Sequence, residues 1–434
     1  MTDVITPVPE LRRDKKHDLL PWVYIGVSGF LLALFIYPIL FRTESMGNQL
    51  DLFFKRGENF FADLYNVCVY SSERDPYFNT FGEEAEKAYF PLSYLIGFVM
   101  GRLICFDGYQ GSIYSVSPIE LIGSILILAI TMVVLSILVY NSIKGSVIMR
   151  TALVLVFLTS GPVMFAAERW NLIFYTVIGM IIFLTTYDSE NKVLRELGYL
   201  SLAFAAALKG FPAVLGVLLL YRKEWKEAVR LAVYGAIGAF VPFLFVKHGF
   251  GAVSKWLSNL HLNNEMYKFR NEYGYSYFVV HNQSLTEDKM TLILDNMYLV
   301  LIITAALAII GASFVKREWI RIALIISFII IIPANSGYYT LMYFIPLVTA
   351  LIRGADRGAA EYIAAVVLAV IMMPFRLPGS NWFCDTPNTA FAVNVLLMAV
   401  FILLSLHCIV AGITGLTGII KQKRGLDHGK TQPA

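Results

Sequence analysis

Long apolar runs separated by short polar stretches dominate the chain. A helical run of about 18 residues or more is long enough to cross the roughly 30 Å of hydrocarbon in a bilayer. Several runs reach that length, and shorter ones lie between them. The pattern predicts an all-α, polytopic membrane protein with about twelve membrane segments, at 20–41, 118–141, 148–167, 170–187, 196–208, 210–221, 231–247, 296–316, 319–334, 338–353, 359–376 and 389–418.

Two stretches of this pattern need separate treatment. The run 196–221 has basic residues at both ends and Lys209, Gly210 and Pro212 at its middle, where glycine and proline interrupt a helix. We therefore expect two short helices that meet at Lys209. The run 90–106 barely spans a bilayer at about 1.5 Å per residue, so we expect it to lie at the outer interface. If it crosses instead, and 196–221 is one helix, the middle third of the topology is inverted.

The composition supports a membrane protein. Of the 434 residues, 57% are hydrophobic and only 15% are charged, whereas soluble domains carry roughly 25% charged residues. Neither GxGxxG nor GxxxxGK[ST] occurs, so the chain has no nucleotide-binding fingerprint. The four cysteines predict neither a metal site nor a disulfide framework, because they are irregularly spaced, at Cys68, Cys105, Cys384 and Cys408.

The distribution of charge predicts the orientation. Placing the N-terminus in the cytoplasm puts 21 of the 35 Lys and Arg residues, but only 13 of the 31 Asp and Glu residues, on the cytoplasmic side. Short basic loops on that side are what the positive-inside rule expects. Both termini are then cytoplasmic. The cytoplasmic segments are 1–19, 142–150, 188–196, 222–230, 316–321, 353–361 and 419–434.

This orientation also defines the domain organisation. A single transmembrane domain covers 20–418, between a cytoplasmic N-terminal tail at 1–19 and a cytoplasmic C-terminal tail at 419–434. No signal-cleavage pattern follows the first apolar run, so we expect that run to stay as a membrane helix. Large outer loops lie at 42–117 and 248–295, and we expect the first to contain interfacial helices.

The first outer loop contains a candidate catalytic carboxylate. Asp63 lies among apolar neighbours, between Phe60 and Phe61 on one side and Leu64 and Tyr65 on the other. A carboxylate that is poorly solvated becomes more basic, and a general base needs that property. The ordinary structural alternative is an aspartate that caps a helix or forms a salt bridge in a solvated loop.

Further polar groups stand where apolar runs end or break. Glu168, Arg169 and Asn171 lie between two runs, and Lys209 lies inside another. A lysine at mid-membrane costs roughly 2.5–3.5 kcal/mol on insertion scales, so it usually faces a polar cavity or a partner. Arg169 and Lys209 are therefore candidates for binding a lipid phosphate. The alternatives are an ion pair that fixes the turn at Arg169, and snorkelling of Lys209.

The remaining candidates follow later in the chain. Arg270, His281 and Asn282 lie in the second outer loop, and Tyr338 and Arg376 follow further apolar runs. Structural or solvated roles for His281, membrane anchoring by Tyr338 and a simple interfacial charge at Arg376 are the alternatives. Under the predicted topology all of these groups reach one face. That placement predicts a site at the outer membrane surface and argues against a route through the bilayer.

Six short motifs follow one another along the chain: Asp63-Leu64-Tyr65, Asp75-Pro76-Tyr77, Tyr89-Phe90-Pro91, Glu168-Arg169-Trp170-Asn171, Lys209-Gly210-Phe211-Pro212 and Asn282-Gln283-Ser284. In this order they resemble the GT-C superfamily of membrane glycosyltransferases, and most closely the bacterial glycosyltransferase family 87, which are polyprenyl-phosphate-mannose-dependent mannosyltransferases. The resemblance covers roughly residues 20–350. The sequence departs from it at Trp170, where glycine is usual, at Leu64, where an aromatic residue is usual, and at Pro91, which replaces a pair of prolines.

The resemblance implies a GT-C-type helical bundle in the bacterial inner membrane, with its active site on the outer face. It implies an inverting transfer of mannose or another hexose from a polyprenyl-phosphate-sugar donor to a hydroxyl of a glycolipid or glycan acceptor. Asp63 would be the general base, and nearby cations would stabilise the leaving phosphate. The residues that would bind the lipid phosphate or the sugar are Arg169, Lys209, His281, Asn282, Arg270, Glu168, Asn171 and Tyr338.

Such a transfer requires no cofactor. The acidic residues near Asp63 could hold a divalent metal, but their spacing forms no recognisable site, so a metal is possible and not indicated. No nucleic-acid partner is expected. Two other functions stay open. A transporter or flippase for a lipid-linked substrate would have polar residues through the membrane depth and paired broken helices, of which we expect one pair, at Lys209. An O-antigen-type polymerase or ligase would instead use a diphosphate-linked glycan.

Overall fold

The computed structural model describes residues 18–41, 60–104, 106, 116–268, 273–282, 284–333, 336–374 and 387–428. Within these ranges it is all-helical and contains no strand, so the predicted all-α fold class is confirmed. The α-helices are α1 Leu20–Leu40, α2 Ala62–Ser71, α3 Pro91–Leu103, α4 Pro118–Ser142, α5 Val147–Leu158, α6 Gly161–Arg169, α7 Ile173–Thr186, α8 Lys192–Lys209, α9 Val217–Tyr221, α10 Trp225–Phe240, α11 Ala252–Tyr267, α12 Tyr277–Val280, α13 Glu287–Ala312, α14 Glu318–Ile331, α15 Phe344–Arg353, α16 Ala359–Met372 and α17 Pro387–His428. Five 3-10 helices lie at Glu84–Glu86, Phe211–Gly216, Val241–Phe245, Gly249–Gly251 and Tyr338–Tyr343 within the same ranges.

Several of these helices suit a membrane. In the described part of the chain, five are long and apolar enough to cross it, or six if α5 and α6, which meet at an angle of 55°, form one broken span. The protein is therefore a multi-pass membrane protein, but the twelve predicted segments are not confirmed. The five spans are Leu20–Leu40, Pro118–Ser142, Trp225–Phe245, Glu287–Ala312 and Phe391–Ile420.

The other predicted segments correspond to shorter or more charged helices. Glycine and proline divide the apolar runs, as Gly161 and Pro162 do where the predicted segment 148–167 bends between α5 and α6. A helix of 14 residues such as α7 reaches about 21 Å at 1.5 Å per residue, which is less than the roughly 30 Å of hydrocarbon. The apolar helices of this shorter class are Pro91–Leu103, Ile173–Thr186, Phe211–Tyr221, Tyr338–Arg353 and Ala359–Met372.

The predicted break in the run 196–221 is confirmed. Helix α8 ends at Lys209, and Gly210 follows with a φ of +73°, a left-handed conformation that glycine adopts without steric cost. The 3-10 helix Phe211–Gly216 follows, with Pro212 in its first turn. Proline has no amide hydrogen with which to continue α8. The Lys209 side chain is thus placed at the end of a helix, next to a sharp turn.

Two helices of the predicted first outer loop, α2 and α3, pack on each other. Gly97 of α3 lies so close to Val67 of α2 that a Cβ atom there would meet the Val67 side chain at 2.4 Å. Ser93, in the first turn of α3, donates from Oγ to the carbonyl of Leu208 at 3.1 Å. The loop is therefore fixed to the end of α8. Its position at the membrane interface stays a prediction.

Two buried clusters stabilise the bundle. The larger one lies between the long helices and is rich in residues of α14 and of the 338–353 region. The smaller one joins α2 and α3 to Trp170, Phe243 and Trp256. Burial of aromatic side chains is the largest favourable contribution that such a cluster makes. The smaller cluster joins parts of the two predicted outer loops to Trp170, directly after α6.

Candidate functional site

A backbone contact positions the candidate base. Phe61 has a φ of +57° and precedes the first turn of α2, and its N–H donates to the carbonyl of Glu168 at 2.7 Å. This bond joins the first outer loop to the last turn of α6. The Glu168 side chain itself is buried. Asp63, two residues after Phe61, consequently lies beside the next residue of α6, Arg169.

Asp63 and Arg169 form a two-point ion pair. The Arg169 guanidinium donates from Nη2 to Asp63 Oδ1 at 2.7 Å, and from Nε to Oδ1 and Oδ2 at 3.1 and 3.2 Å. Asn171 donates from Nδ2 to Asp63 Oδ2 at 2.5 Å. The side chains of Asp63 and Arg169 remain 17% and 25% exposed, so neither is fully buried. Charge-assisted contacts of this geometry are among the stronger hydrogen bonds in proteins.

The turn after α6 sets the direction of both partners. Trp170 ends α6 in the left-handed region with a φ of +52°, and its buried indole donates from Nε1 to the Ser124 carbonyl at 2.9 Å. Asn171 accepts from the Ile173 N–H at its Oδ1, which satisfies an amide at the start of α7. The amide group of Asn171 is thereby oriented with its nitrogen towards Asp63.

Lys209 lies between two tyrosine side chains. Its Nζ donates to the Tyr89 hydroxyl at 3.1 Å and lies 4.5 Å from the centre of the Tyr89 ring and 5.6 Å from that of Tyr339. An ammonium group over an aromatic face is attracted to it electrostatically. Tyr89 comes from the first outer loop and Tyr339 from the 3-10 helix before α15, so three distant parts of the chain meet at this lysine.

Aromatic side chains join the two cations into one cluster. The guanidinium of Arg169 lies 6.0 Å from the centre of the Phe165 ring, and Phe165 stacks on Tyr339 at 6.2 Å. Tyr339 in turn faces Lys209. We call Asp63, Arg169, Asn171, Lys209, Tyr89 and Tyr339 the polar cluster.

The charges of Asp63 and Arg169 also affect the Tyr89 phenol. Burial raises the pKa of the Tyr89 phenol above its ordinary value of 10, the Asp63 carboxylate raises this pKa further, and the Arg169 guanidinium opposes the shift. Tyr89 therefore stays a neutral hydroxyl at physiological pH. Its hydroxyl oxygen accepts the hydrogen bond from Lys209.

The other candidates lie apart from the polar cluster or behind it. Tyr338 is buried and packs against Phe165 and Tyr273, so it supports the ring beneath Arg169. His281 and Asn282 are exposed. His281 lies 2.9 Å from the Tyr277 carbonyl through Nδ1 and stacks on the Tyr277 ring.

No contact in the described part of the chain joins His281 or Asn282 to Asp63 or Arg169. Asn282 accepts at Oδ1 from both the backbone N–H and the hydroxyl of Ser284. Arg270 and Arg376 lie outside the described residues, as does Gln283. Among the described residues, no group of three or more His, Cys, Asp and Glu side chains could hold a metal ion.

Two members of the polar cluster, Tyr89 and Tyr339, were not identified as site residues from the sequence. Tyr89 and Tyr339 stand in aromatic-rich outer segments, where tyrosine is common as an interfacial anchor. Nothing local distinguishes them, because their partner Lys209 lies 120 positions from Tyr89. The available signal was the place of Tyr89 in the Tyr89-Phe90-Pro91 motif, directly before a helix.

The sequence profile of glycosyltransferase family 87 matches residues 115–333, slightly more than half of the 434 residues. The chain belongs to glycosyltransferase family 87. The protein is therefore a glycosyltransferase, and sugar donor and acceptor are its substrates. The matched range includes Arg169, Asn171 and Lys209 but neither Asp63 nor Tyr339. Neither a curated protein nor a solved structure matches the chain significantly.

Proposed function

We propose that this glycosyltransferase moves a hexose, such as mannose, from a polyprenyl-phosphate-sugar to a hydroxyl of a glycolipid or glycan acceptor, with inversion at the anomeric carbon. The observation that carries the proposal is the partly exposed Asp63 carboxylate beside Arg169, with Lys209 in the same cluster. A carboxylate next to two cations suits a reaction that takes a proton from an acceptor and releases a phosphate. In this proposal the helices form a GT-C-type bundle.

Asp63 is the general base in this mechanism. A carboxylate can accept about four hydrogen bonds, and within the described residues three donor groups reach it, namely Nη2 and Nε of Arg169 and Nδ2 of Asn171. Nε of Arg169 shares its hydrogen between Oδ1 and Oδ2, so the hydroxyl of the sugar acceptor takes the place of the longer of these two contacts, 3.2 Å to Oδ2. Asp63 takes the hydroxyl proton while the acceptor oxygen forms a bond to the anomeric carbon. The bond from that carbon to the phosphate oxygen breaks with its electron pair.

Arg169 and Lys209 stabilise the leaving group. The polyprenyl phosphate gains a negative charge as its bond to the sugar breaks, so it needs cations and no proton donor. The contacts of Arg169 with Asp63 run through Nε and Nη2, which leaves Nη1 to face a phosphate oxygen. The Arg169 guanidinium would then both orient the Asp63 base and bind the phosphate. Lys209 would supply the second charge, held by Tyr89 and Tyr339.

The reaction takes place on the outer face of the bacterial inner membrane in this proposal. The support is the charge distribution, since basic residues concentrate in the segments assigned to the cytoplasm. The contact of Lys209 with Tyr89 puts the break after α8 at the same end of the bundle as the first outer loop. A lipid-linked donor enters such a site from the bilayer. Both termini are then cytoplasmic.

The test is transfer of labelled mannose from polyprenyl-phosphate-mannose by the purified protein in nanodiscs, with membrane glycolipids as acceptors. We expect Asp63→Asn to lower the rate about 10²- to 10⁴-fold, as loss of a general base does, with thermal unfolding still cooperative. The matched control is Glu73→Gln, which neutralises an exposed carboxylate in the same loop and should leave the rate unchanged.

Two outcomes would contradict the proposal. A well-folded Asp63→Asn protein that turns over at the wild-type rate would remove Asp63 from the role of base. A wild-type protein that uses only a polyprenyl diphosphate-linked glycan, and ignores the monophosphate-linked sugar, would reject the donor class while leaving the glycosyltransferase assignment in place.

A further inference from the structure

The segment before α3 is held by an unusual set of contacts. Between positions 85 and 89, four backbone carbonyls accept hydrogen bonds from side chains elsewhere in the chain. Carbonyls at the surface of a loop are ordinarily hydrated, so four such bonds fix the path of this backbone. The bonds run from Asn263 Nδ2 to Ala85 at 2.8 Å, from Asn259 Nδ2 to Lys87 at 3.3 Å, from Trp256 Nε1 to Ala88 at 3.1 Å and from the Tyr77 hydroxyl to Tyr89 at 2.9 Å.

Three of the four donors belong to one helix of the second outer loop. Trp256, Asn259 and Asn263 of α11 are three and four positions apart, so their side chains lie along one face of the helix. Trp256 also contacts the ring of Phe90 at 4.8 Å between centres. Helix α11 is therefore fixed against the segment that carries Tyr89.

The position of Tyr89 matters because of what its ring contacts. The hydroxyl accepts from Lys209 and the ring face lies against the same ammonium. A lysine side chain has a flexible four-carbon stem and a compact charge. Without a partner it would sample many rotamers at the end of α8. One tyrosine that contacts the ammonium by both hydroxyl and ring restricts this freedom.

We propose that Tyr89 is a positioning residue that holds the Lys209 ammonium ready for the phosphate of the lipid carrier, and that α11 of the second outer loop sets Tyr89 in place through its Trp256, Asn259 and Asn263 contacts. This inference rests on the proposed function, because it assumes a phosphate ligand for Lys209. It adds Tyr89, which lies outside residues 115–333 matched by the family profile, to the site. It also gives the second outer loop a role in the site.

Binding of polyprenyl monophosphate to the nanodisc-embedded protein tests the inference, because it requires no turnover. We expect Tyr89→Phe, which keeps the ring and loses the hydroxyl, to raise the dissociation constant about threefold to tenfold. Tyr89→Leu, which also removes the ring, should raise it about 10- to 30-fold. A Tyr89→Phe protein that binds as tightly as the wild type would overturn the hydroxyl's role, and an unaffected Tyr89→Leu protein would overturn the whole inference.

A double-mutant cycle separates positioning from simple structural damage. If Tyr89 acts through Lys209, then Tyr89→Leu should weaken binding no further once Lys209→Met is present, because coupled residues are non-additive. A double variant that binds as weakly as the product of the two single effects predicts would refute the coupling. If Lys209→Met binds polyprenyl monophosphate like the wild type, Lys209 is no phosphate ligand and the inference fails.

The role of α11 is tested by two neighbouring asparagines. Asn263 donates to the Ala85 carbonyl, whereas the side chain of Asn264 is exposed. We expect Asn263→Ala to raise the dissociation constant about twofold to fivefold and Asn264→Ala to leave it unchanged. Equal effects of the two variants would exclude α11 from this role. The proposed function is judged separately by sugar transfer, so a wild-type protein that transfers the sugar while these variants bind normally would overturn this inference alone.

Discussion

Asp63 and Arg169 are 106 positions apart, yet the guanidinium of Arg169 meets both carboxylate oxygens of Asp63. The two-point geometry is specific to arginine, since lysine offers one compact charge. The pair also fastens α2 to the end of α6. Asp63 therefore has two roles, as the proposed base and as a contact that holds the first outer loop on the bundle.

The first prediction separates these roles by two substitutions at Arg169. We expect Arg169→Lys to lower kcat/KM about 10- to 100-fold, because the charge stays and the second contact is lost. Arg169→Ala should also lower the free energy of unfolding by about 1–3 kcal/mol, because it leaves the partly buried Asp63 carboxylate without its cation. Thermal unfolding and sugar-transfer kinetics measure the two effects.

The control for this stability effect is a double variant, in which Asp63 is changed together with Arg169. Asp63→Asn in the Arg169→Ala background removes the unpaired charge, so the double variant should be more stable than Arg169→Ala alone. Additive losses in the double variant would show that the ion pair contributes little to folding, in conflict with the prediction.

The second prediction concerns the contribution of Trp170 to stability. Trp170 stands where glycine is usual in the family motif that the sequence resembles. Its φ of +52° explains the preference for glycine, because the left-handed region costs other residues about 1–2 kcal/mol. The tryptophan is fully buried, however, and removal of such a side chain costs about 3–5 kcal/mol. We expect Trp170→Gly to destabilise the protein by about 1–4 kcal/mol, since the lost packing exceeds the relieved strain.

Trp170→Phe is the matched control, because it keeps a buried ring and the backbone strain but loses the bond to the Ser124 carbonyl. It should cost about 1–2 kcal/mol. Thermal unfolding in detergent measures both variants. A Trp170→Gly protein that melts above the wild type would mean that backbone strain dominates at this turn.

Local signals in the sequence were sufficient for part of the fold. Gly210 and Pro212 predict the break after Lys209, because each acts through its own backbone geometry. The number of spans was harder to predict, because the length of an apolar run does not take account of a glycine or proline inside it, such as Gly161 and Pro162 between α5 and α6. Hydrophobicity alone contains no information about where such a run bends.

The candidate site, like the fold, was predicted in part from local sequence and depends in part on tertiary contacts. Asp63, Arg169 and Lys209 are recognisable from the sequence as polar groups in apolar surroundings, and the sequence also allows a salt bridge at Asp63. That its partner is Arg169, and that Tyr89 and Tyr339 enclose Lys209, depends on tertiary contacts between distant segments. His281 and Asn282 resemble a family motif, yet they lie at the surface with local partners. Their role in substrate binding stays a prediction.

The last prediction concerns the sides of the membrane. Basic loops assign residues 188–196 to the cytoplasm and the first loop to the outside. Ser72, in the first loop, and Glu190 are both exposed, and Cys68 is buried. With Cys105 and Cys384 replaced by serine, a membrane-impermeant maleimide should label Ser72→Cys in intact cells, and Glu190→Cys only after permeabilisation. Because Lys209 contacts Tyr89 of the first loop, labelling in the opposite pattern would put the polar cluster on the cytoplasmic side and would contradict the proposed outer-face site.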